Sequence, residues 1–153
     1  MSFKWKDRYL LGIEEIDNQH RKLFEIGRKA YDIAVLNDSY DHYDEIMEII
    51  DELLNYAEYH FKYEENLINS YNFDGLGQQR QEHEFYVKRI KDILSKDIDS
   101  DQQQATLEIV DFLSEWISNH ILFSDRKYAI YFKEKGIEIK WFVLRSKDMY
   151  KLI

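Results

Sequence analysis

A histidine and a glutamate lie four residues apart in the segment His60-Phe61-Lys62-Tyr63-Glu64. Residues with this spacing project from the same face of an α-helix, so an imidazole nitrogen and a carboxylate could reach one metal ion together. The same face carries apolar residues before and after the pair, which indicates that it points into a core. A buried carboxylate needs a partner, and a metal ion is one such partner. A single pair of this kind is also typical of a helix surface, so other helices must supply ligands at the same depth.

Two further stretches place candidate ligands on inward helical faces. His20 lies on the apolar face of the first predicted helix, which Asp17 or Asn18 is expected to cap because a short side-chain oxygen can accept a free backbone N–H. On the third predicted helix, Gln79 and His83 repeat the four-residue spacing. Each stretch can therefore bring a nitrogen or oxygen ligand into the core.

The fourth predicted helix carries His120, and Asp125 follows five residues later. A regular α-helix has 3.6 residues per turn, so Asp125 would reach the side of His120 only through a flexible carboxylate or a locally widened turn. His42 stands among charged residues and is expected to be exposed. The candidate ligands are thus two acids, Glu64 and Asp125, and the four histidines on inward faces, His20, His60, His83 and His120.

The composition favours long unbroken helices, because the 153 residues include no proline and only five glycines. We predict an all-α fold: an antiparallel up-down four-helix bundle with an N-terminal arm and a short C-terminal extension. The arm covers residues 1 to about 16, and the second helix runs from about Asp41 to Ser70. The bundle is expected to span residues 1–136, with residues 137–153 packed on it; a tail that docks a partner is the alternative.

An antiparallel arrangement would bring all the candidate ligands into one layer at one end of the bundle. Four histidines with two carboxylates are too many ligands for one tetrahedral zinc ion, and the chain has no cysteine for a structural zinc site. Imidazoles together with carboxylates that can bridge suit a pair of iron or manganese ions. The alternative is a core of histidines that hydrogen-bond to one another.

Charge and hydropathy exclude several classes of function. The net charge of −9, without a basic stretch interleaved with aromatics, argues against nucleic acid as a partner. The apolar runs are short, which predicts neither a membrane span nor a signal peptide. The absence of cysteine fits a reducing compartment. We therefore expect a cytoplasmic protein that is a monomer or a weak oligomer.

Four motifs give the chain a resemblance to the bacterial hemerythrins over residues 3 to about 136. In chain order they are Trp5-x-x-x-Tyr9-x-x-Gly12-Ile13-x-x-Ile16-Asp17-x-Gln19-His20, His60-Phe61-x-x-Glu64-Glu65, His83 before Phe85, and His120-Ile121-x-x-x-Asp125. The resemblance implies a non-haem diiron site in a four-helix bundle that binds O₂ reversibly. Two iron ions are therefore the expected cofactor.

The resemblance also implies a role for each matching residue, with Ile117 as the apolar side chain that shields bound O₂. The implied ligands are His20 and His60 for the O₂-binding iron, His83 and His120 for the other iron, and Glu64 and Asp125 as bridges between them.

Gln79 departs from the family pattern, because it stands where the family has a third histidine for the second iron. An amide oxygen is a weaker ligand than an imidazole nitrogen. Gln79 could therefore bind loosely, hydrogen-bond to a water on the metal, or leave a coordination position open. It could also simply fill the volume of the histidine it replaces.

These features support two main hypotheses for function. The first is an O₂ carrier, buffer or scavenger, which follows from the resemblance. The second is an enzyme, a diiron peroxide or O₂ reductase that uses the coordination position opened at Gln79 and an electron donor that the sequence does not identify. A sensor or interaction module and a zinc-filled bundle without redox function are further alternatives. In the two main hypotheses the small-molecule ligand is O₂ or peroxide.

Overall fold

The computed structural model describes residues 3–36 and 38–139, and within them every regular element is a helix. In chain order these are a 3₁₀ turn (Asp7–Tyr9), α1 (Glu14–Leu36), α2 (Tyr43–Ser70), α3 (Leu76–Leu94), α4 (Gln102–Asn119), a π-helical segment (His120–Asp125) and α5 (Arg126–Glu134). Helix α1 packs against α2 and α4, and α3 packs against α2 and α4. Because α4, the π segment and α5 follow one another without a loop, they form the fourth rod. The predicted all-α four-helix bundle is confirmed.

The first helix begins earlier than predicted, at Glu14, so the expectation that Asp17 or Asn18 caps it is wrong. Asp17 lies in the first turn, where its carboxylate accepts the backbone N–H groups of Leu11 at 2.8 Å and Gly12 at 3.2 Å. Gly12 adopts a φ of +82°, which turns the chain back toward that carboxylate. The acid therefore fastens the preceding loop to the helix.

Aromatic residues of the N-terminal arm pack around Phe24 of α1. The ring of Tyr9 lies 4.9 Å from that of Phe24, and the rings of Trp5 and Phe3 lie at 5.5 Å and 6.1 Å. Gly27 makes room for this arm, because a Cβ atom there would lie 2.7 Å from the Phe3 ring. The arm thereby closes the side of the bundle next to α1.

His42, expected to be exposed, is largely covered: its side chain is 17% exposed. It directly precedes α2, which begins at Tyr43, two residues later than predicted. Its ring lies 2.7 Å from an Asp38 oxygen and 3.3 Å from a Glu45 oxygen. These contacts raise the pKa of His42, with the hydrogen bond to Asp38 as the main cause. The neighbouring charges therefore cover the ring, instead of leaving it in solvent.

The C-terminal extension is described only as far as residue 139. The backbone N–H of Ile137 donates to the carbonyl of Phe132 at 2.8 Å, and Ile137 and Ile139 pack against the end of the bundle. Residues 140–153, including Trp141 and Tyr150, lie outside the described residues, so the expected packing of that part stays a prediction. Within the described ranges, none of the helices combines the length and the apolar character needed to cross a membrane.

The core consists of two apolar clusters with a polar layer between them. The larger cluster includes Leu53, Ile90 and Leu113, and the smaller one includes Ile16 and Tyr128 near the ends of the rods. Along each rod the candidate ligands fall where the chain passes from one cluster to the other. The bundle thus buries a layer of ionisable groups away from solvent.

Candidate metal centre

The structure brings all seven predicted ligand residues into the buried layer. Each is at most 3% exposed: His20, His60, Glu64, Gln79, His83, His120 and Asp125. Their burial agrees with the expectation that the antiparallel bundle gathers them in one layer, and their role as metal ligands stays a prediction.

Helix α2 supplies the first pair of side chains. The His60 Nε2 atom lies 3.2 Å from Glu64 Oε2, as the four-residue spacing predicts. The same Glu64 oxygen lies 3.3 Å from the Nε2 atom of His83, which comes from α3. Glu64 therefore reaches histidines on both sides of the layer.

The π-helical segment explains how Asp125 reaches the layer. A π turn closes at five residues, so His120 and Asp125, at its two ends, lie on the same face. Of the two possibilities in the sequence, the structure contains the widened turn. The Nε2 atom of His120 lies 3.0 Å from one Asp125 oxygen, and the Nε2 atom of His20 lies 3.2 Å from the other. Asp125 thus spans the layer with its two oxygens.

The ligand atoms form two groups that share Glu64. One group is His20, His60 and Glu64, and the other is Glu64, His83 and His120; in each group the ligand atoms lie within 4.8 Å of one another. Each group could hold one metal ion. We call the first group the His20/His60 half and the second, together with Gln79, the His83/His120 half.

Several inward atoms of this layer are buried and lie close to other polar atoms, but make no hydrogen bond of suitable geometry with the described residues. They include the Nε2 atoms of His20 and His60, one oxygen of Glu64 and one oxygen of Asp125. Buried polar atoms are normally paired, and a bound ion is one explanation for a set that is not. The Nε2 atoms of His83 and His120 lie within hydrogen-bond distance of each other, at 3.2 Å, but a core of mutually hydrogen-bonded histidines would also pair the Nε2 atoms of His20 and His60. Converging nitrogen and carboxylate lone pairs instead fit a bound cation, so the residues present suit a metal centre.

Burial and neighbouring charges shift the pKa values of the ligand groups in different directions. Burial lowers the pKa of His60 and favours its neutral form, which has a lone pair to donate. For Glu64, burial alone would raise the pKa, but the hydrogen bond with Asp125 and the attraction of His60 outweigh it and hold the pKa well below its usual value. Burial thus favours the neutral form of His60, while the neighbouring groups favour the ionised form of Glu64.

The protonation of His120 is governed by the surrounding acids. Burial alone would lower its pKa, but Asp125, Glu64 and Glu82 together hold the pKa well above its usual value. A cation that binds at the His120 Nε2 atom must therefore displace a proton.

Outer contacts orient two of the histidines, and the sequence did not reveal these contacts. The Nδ1 atom of His60 lies 2.7 Å from the Gln19 side-chain oxygen, and that of His83 lies 2.8 Å from a Glu65 carboxylate oxygen. A partner on Nδ1 fixes the tautomer that leaves Nε2 free to face the centre. Gln19 and Glu65 both belong to the quoted motifs, but spacing alone does not show which histidine each one meets.

Tyr128 is a further contact that the sequence analysis missed. Its hydroxyl donates to Glu64 Oε1 at 2.8 Å, and both side chains are fully buried. The position of Tyr128 on the inward face of its helix is the signal that was available. The hydroxyl orients Glu64 from the side of the smaller apolar cluster.

Gln79 turns its amide nitrogen toward the acids. Its Nε2 atom donates to Asp125 Oδ1 at 3.0 Å, while its Oε1 atom is buried and has no hydrogen-bond partner within the described part of the chain. An amide N–H group is a donor and cannot be a metal ligand. In this orientation, Gln79 supports Asp125 instead of adding a ligand.

Apolar and aromatic side chains wall the layer on the side of the larger cluster. Ile117 lies one turn before His120 and is 1% exposed. The ring of Trp116 stacks on His120 with 4.5 Å between centroids, and that of Phe61 stacks on His83 at 4.0 Å. These side chains keep bulk water away from the imidazoles.

Comparison with known proteins agrees with this arrangement. A family model described as the hemerythrin HHE cation binding domain matches residues 11–129. A bacteriohemerythrin of Clostridium acetobutylicum is 46% identical over 126 residues, which cover 82% of this chain and 98% of that protein. A bacteriohemerythrin of Stenotrophomonas maltophilia is 30% identical, with 82% of this chain and 78% of that protein covered. A hemerythrin-like protein of Naegleria gruberi is 29% identical, with 82% and 90% covered.

The family match and the buried histidine–carboxylate layer lead to the same conclusion. The matched residues include all seven predicted ligand positions. The chain belongs to the hemerythrin family of cation-binding domains.

Proposed function

We propose that this protein binds two non-haem iron ions and uses them to bind O₂, as a carrier, buffer or scavenger. The observation that carries the proposal is the pair of ligand groups that share Glu64, with Asp125 extending an oxygen to each side. Mixed imidazole and carboxylate ligands suit iron. A pair of iron ions, when bound, supplies the electrons for reversible binding of O₂.

The individual roles follow from the contacts of each side chain. His20 and His60 would hold one ion, and His83 and His120 would hold the other. Glu64 and Asp125 would lie between the two ions, because each approaches imidazoles of both halves. Tyr128 holds Glu64 in place through its hydroxyl.

The surroundings favour binding of a small apolar ligand. Ile117 is buried one turn before His120, where it would shield bound O₂, and Trp116 and Phe61 cover the imidazoles of the second half. Exclusion of water protects a bound ligand from protonation and premature release. The chain thus offers an apolar wall beside the proposed metal centre.

A diiron peroxide or O₂ reductase is the second candidate, and the orientation of Gln79 favours it. Because its amide N–H points to Asp125, the second ion lacks the ligand that a histidine would provide. The other N–H of this amide could donate a hydrogen bond to a small oxygen-containing ligand in that half. Such an enzyme requires an external electron donor, which is a partner beyond this chain.

Iron loading of the apoprotein under argon tests the metal centre. We expect about two irons per chain by elemental analysis. An Asp125→Asn variant, which keeps the volume but removes the charge, serves as the control and should bind less iron. One ion per wild-type chain, or zinc bound in preference to iron, would contradict the diiron proposal.

Absorbance spectroscopy then separates the two candidate functions. The reduced, iron-loaded protein is mixed with O₂ and afterwards flushed with argon. A spectral change that reverses on flushing supports the carrier. Rapid and repeated consumption of peroxide in the presence of a small-molecule reductant supports the reductase.

We also propose a cytoplasmic location and a monomeric or weakly oligomeric state. The cysteine-free sequence supports a reducing compartment. Fractionation of the native cells and sedimentation of the purified protein test the two proposals directly.

A further inference from the structure

The N-terminal arm contacts the fourth rod on both sides of the π-helical segment. Before the segment, the hydroxyl of Ser118 lies 3.2 Å from that of Tyr9. Directly after it, the guanidinium group of Arg126 donates to the carbonyl of Leu10 at 2.9 Å and to that of Arg8 at 2.6 Å. Three consecutive residues of the arm therefore reach both ends of the segment.

Arg126 takes part in the π turn as well as in the contact with the arm. Its backbone N–H bonds to the carbonyl of Ile121, five residues earlier, which is the spacing of a π turn. Its side chain presents several N–H groups in a fixed plane, so it can bind two carbonyls at once. A change from π to α spacing would rotate Arg126 about the helix axis. The arm contact and the π turn therefore depend on each other.

The arm is in turn anchored to the start of α1. Asp17 accepts the backbone N–H groups of Leu11 and Gly12, which directly follow the arm residues that contact the fourth rod. Asp17 lies three residues before His20. The Nε2 atom of His20 lies 3.2 Å from one oxygen of Asp125. The arm thus connects the two elements whose candidate ligands meet across the buried layer.

The direction of Asp125 depends on the widened turn. π turns are rare and occur mostly as single turns within an α-helix, so the surroundings must favour one here. With α spacing, Asp125 would point about 140° away from His120 around the helix. The 3.0 Å approach of Asp125 Oδ1 to the His120 Nε2 atom would then be lost.

We infer that the N-terminal arm stabilises the π turn, and that Arg126 is a positioning residue that keeps Asp125 directed into the buried layer. The side-chain hydrogen bonds of Arg126 go to the arm and not to a candidate ligand, so it acts through the backbone of the segment. The arm itself carries none of the seven candidate ligands. It nevertheless determines where one of them points.

Hydrogen exchange of the apoprotein tests the inference without iron. In an Arg126→Gln variant, the backbone amides of the π segment should exchange faster than in the wild type. Lys127→Gln is the matched control, because it removes the same charge from the next residue. Lys127 is exposed and makes no hydrogen bond or ion pair with the described residues.

A local effect must be separated from a general loss of stability. The amides of α3 serve as the internal reference, because neither side-chain hydrogen bond of Arg126 reaches that helix. Faster exchange in the π segment alone supports the inference. An equal acceleration in both regions, with a matching loss of stability in urea, would show that Arg126 is only a general tether and would overturn it.

Iron affinity measures the consequence for the metal centre, and this part of the inference rests on the proposed diiron function. Wild type and both variants are loaded with iron under argon, challenged with a graded chelator, and analysed for iron per chain. We expect Arg126→Gln to bind iron about 10–100-fold more weakly, as is typical when a ligand loses its outer support. Lys127→Gln should bind iron like the wild type.

A deletion shows whether Arg126 acts through the π turn. Phe123 is 65% exposed, and its removal shortens the interval between His120 and Asp125 to four residues. A regular α-helix places residues with that interval on one face, so Asp125 no longer needs the widened turn. In this background Arg126→Gln should cost little iron affinity, and an equal loss in both backgrounds would overturn the inference. Circular dichroism verifies the fold, and the exchange and chelator experiments do not depend on the deletion.

The outcomes distinguish the inference from the diiron function. If the wild type takes up two ions but Arg126→Gln exchanges and binds iron like Lys127→Gln, the inference fails and the diiron function stands. Faster exchange with unchanged iron affinity would refute the assignment of Arg126 as a positioning residue. If the wild type takes up fewer than two ions while the π segment of Arg126→Gln exchanges faster, the diiron proposal fails and the role of the arm in the π turn stands.

Discussion

The His20/His60 half and the His83/His120 half have similar interiors and different surroundings. Each presents two imidazole Nε2 atoms to Glu64 and Asp125 within a layer that is at most 3% exposed. Behind the first half stands a neutral amide, and behind the second stand two carboxylates. Histidines that could hold equivalent ions thus have different groups behind their outer nitrogens, because those groups come from different helices.

Removal of Glu64 should have the largest effect, because this acid belongs to both halves. We expect Glu64→Ala to lose most bound iron and to destabilise the metal-loaded protein by about 3–5 kcal/mol, as for a buried charge network that loses one partner. Thermal unfolding and elemental analysis measure the two effects. His42→Ala is the control, since His42 lies outside the centre, and equal melting shifts for the two variants would contradict the assigned position of Glu64.

Gln79→His should make the two halves less alike, because it gives the second half a third imidazole while the first keeps two. If the protein is a reductase, the variant should consume peroxide more slowly and retain O₂ longer, with an unchanged bundle. If it is a carrier, the wild type already retains O₂ and the substitution changes little. Stopped-flow absorbance with O₂ and with peroxide measures both rates. A wild type that reacts slowly with peroxide and oxidises no faster than the variant would eliminate the reductase.

Tyr128→Phe tests the support of the shared acid without removing a ligand. The hydroxyl that donates to Glu64 is lost, which leaves a buried acceptor short of a partner and should cost about 1–3 kcal/mol of apoprotein stability. Urea denaturation gives the value. Tyr131→Phe is the matched control, because Tyr131 donates to the carbonyl of Tyr71 in a partly exposed position. A smaller loss for Tyr128→Phe than for Tyr131→Phe would contradict the buried hydrogen bond.

His42 should show the smallest effect, because it contacts neither half. Its pKa is raised in the folded state, first by the hydrogen bond to Asp38 and then by that to Glu45. The stabilisation is therefore fully present below the unfolded pKa of about 6.5 and is lost as the pH rises through the higher folded value. His42→Asn should remove this dependence. Melting temperatures of the apoproteins from pH 5 to pH 9 would reveal it as a difference that shrinks with rising pH; a constant difference would refute it.

Much of the centre could be predicted from the sequence because helical spacing is a local property. The four-residue interval between His60 and Glu64 puts both on one face in any α-helix, and the apolar neighbours determine that this face points inward. The same reasoning located Gln79 and His83. It was less successful at the start of α1, where Asp17 hydrogen-bonds to a loop shaped by the positive φ of Gly12.

The sequence by itself determined which residue types enter the buried layer and at what depth, because backbone hydrogen bonding sets the period of each helix. Only the tertiary structure decided the contacts between helices: Gln19 behind His60, Glu65 behind His83, and the Gln79 amide nitrogen toward Asp125. It also decided between a flexible carboxylate and a widened turn at Asp125. These contacts depend on how one packed rod is rotated and shifted along its axis relative to another. The spacing of residues within a single helix does not determine that.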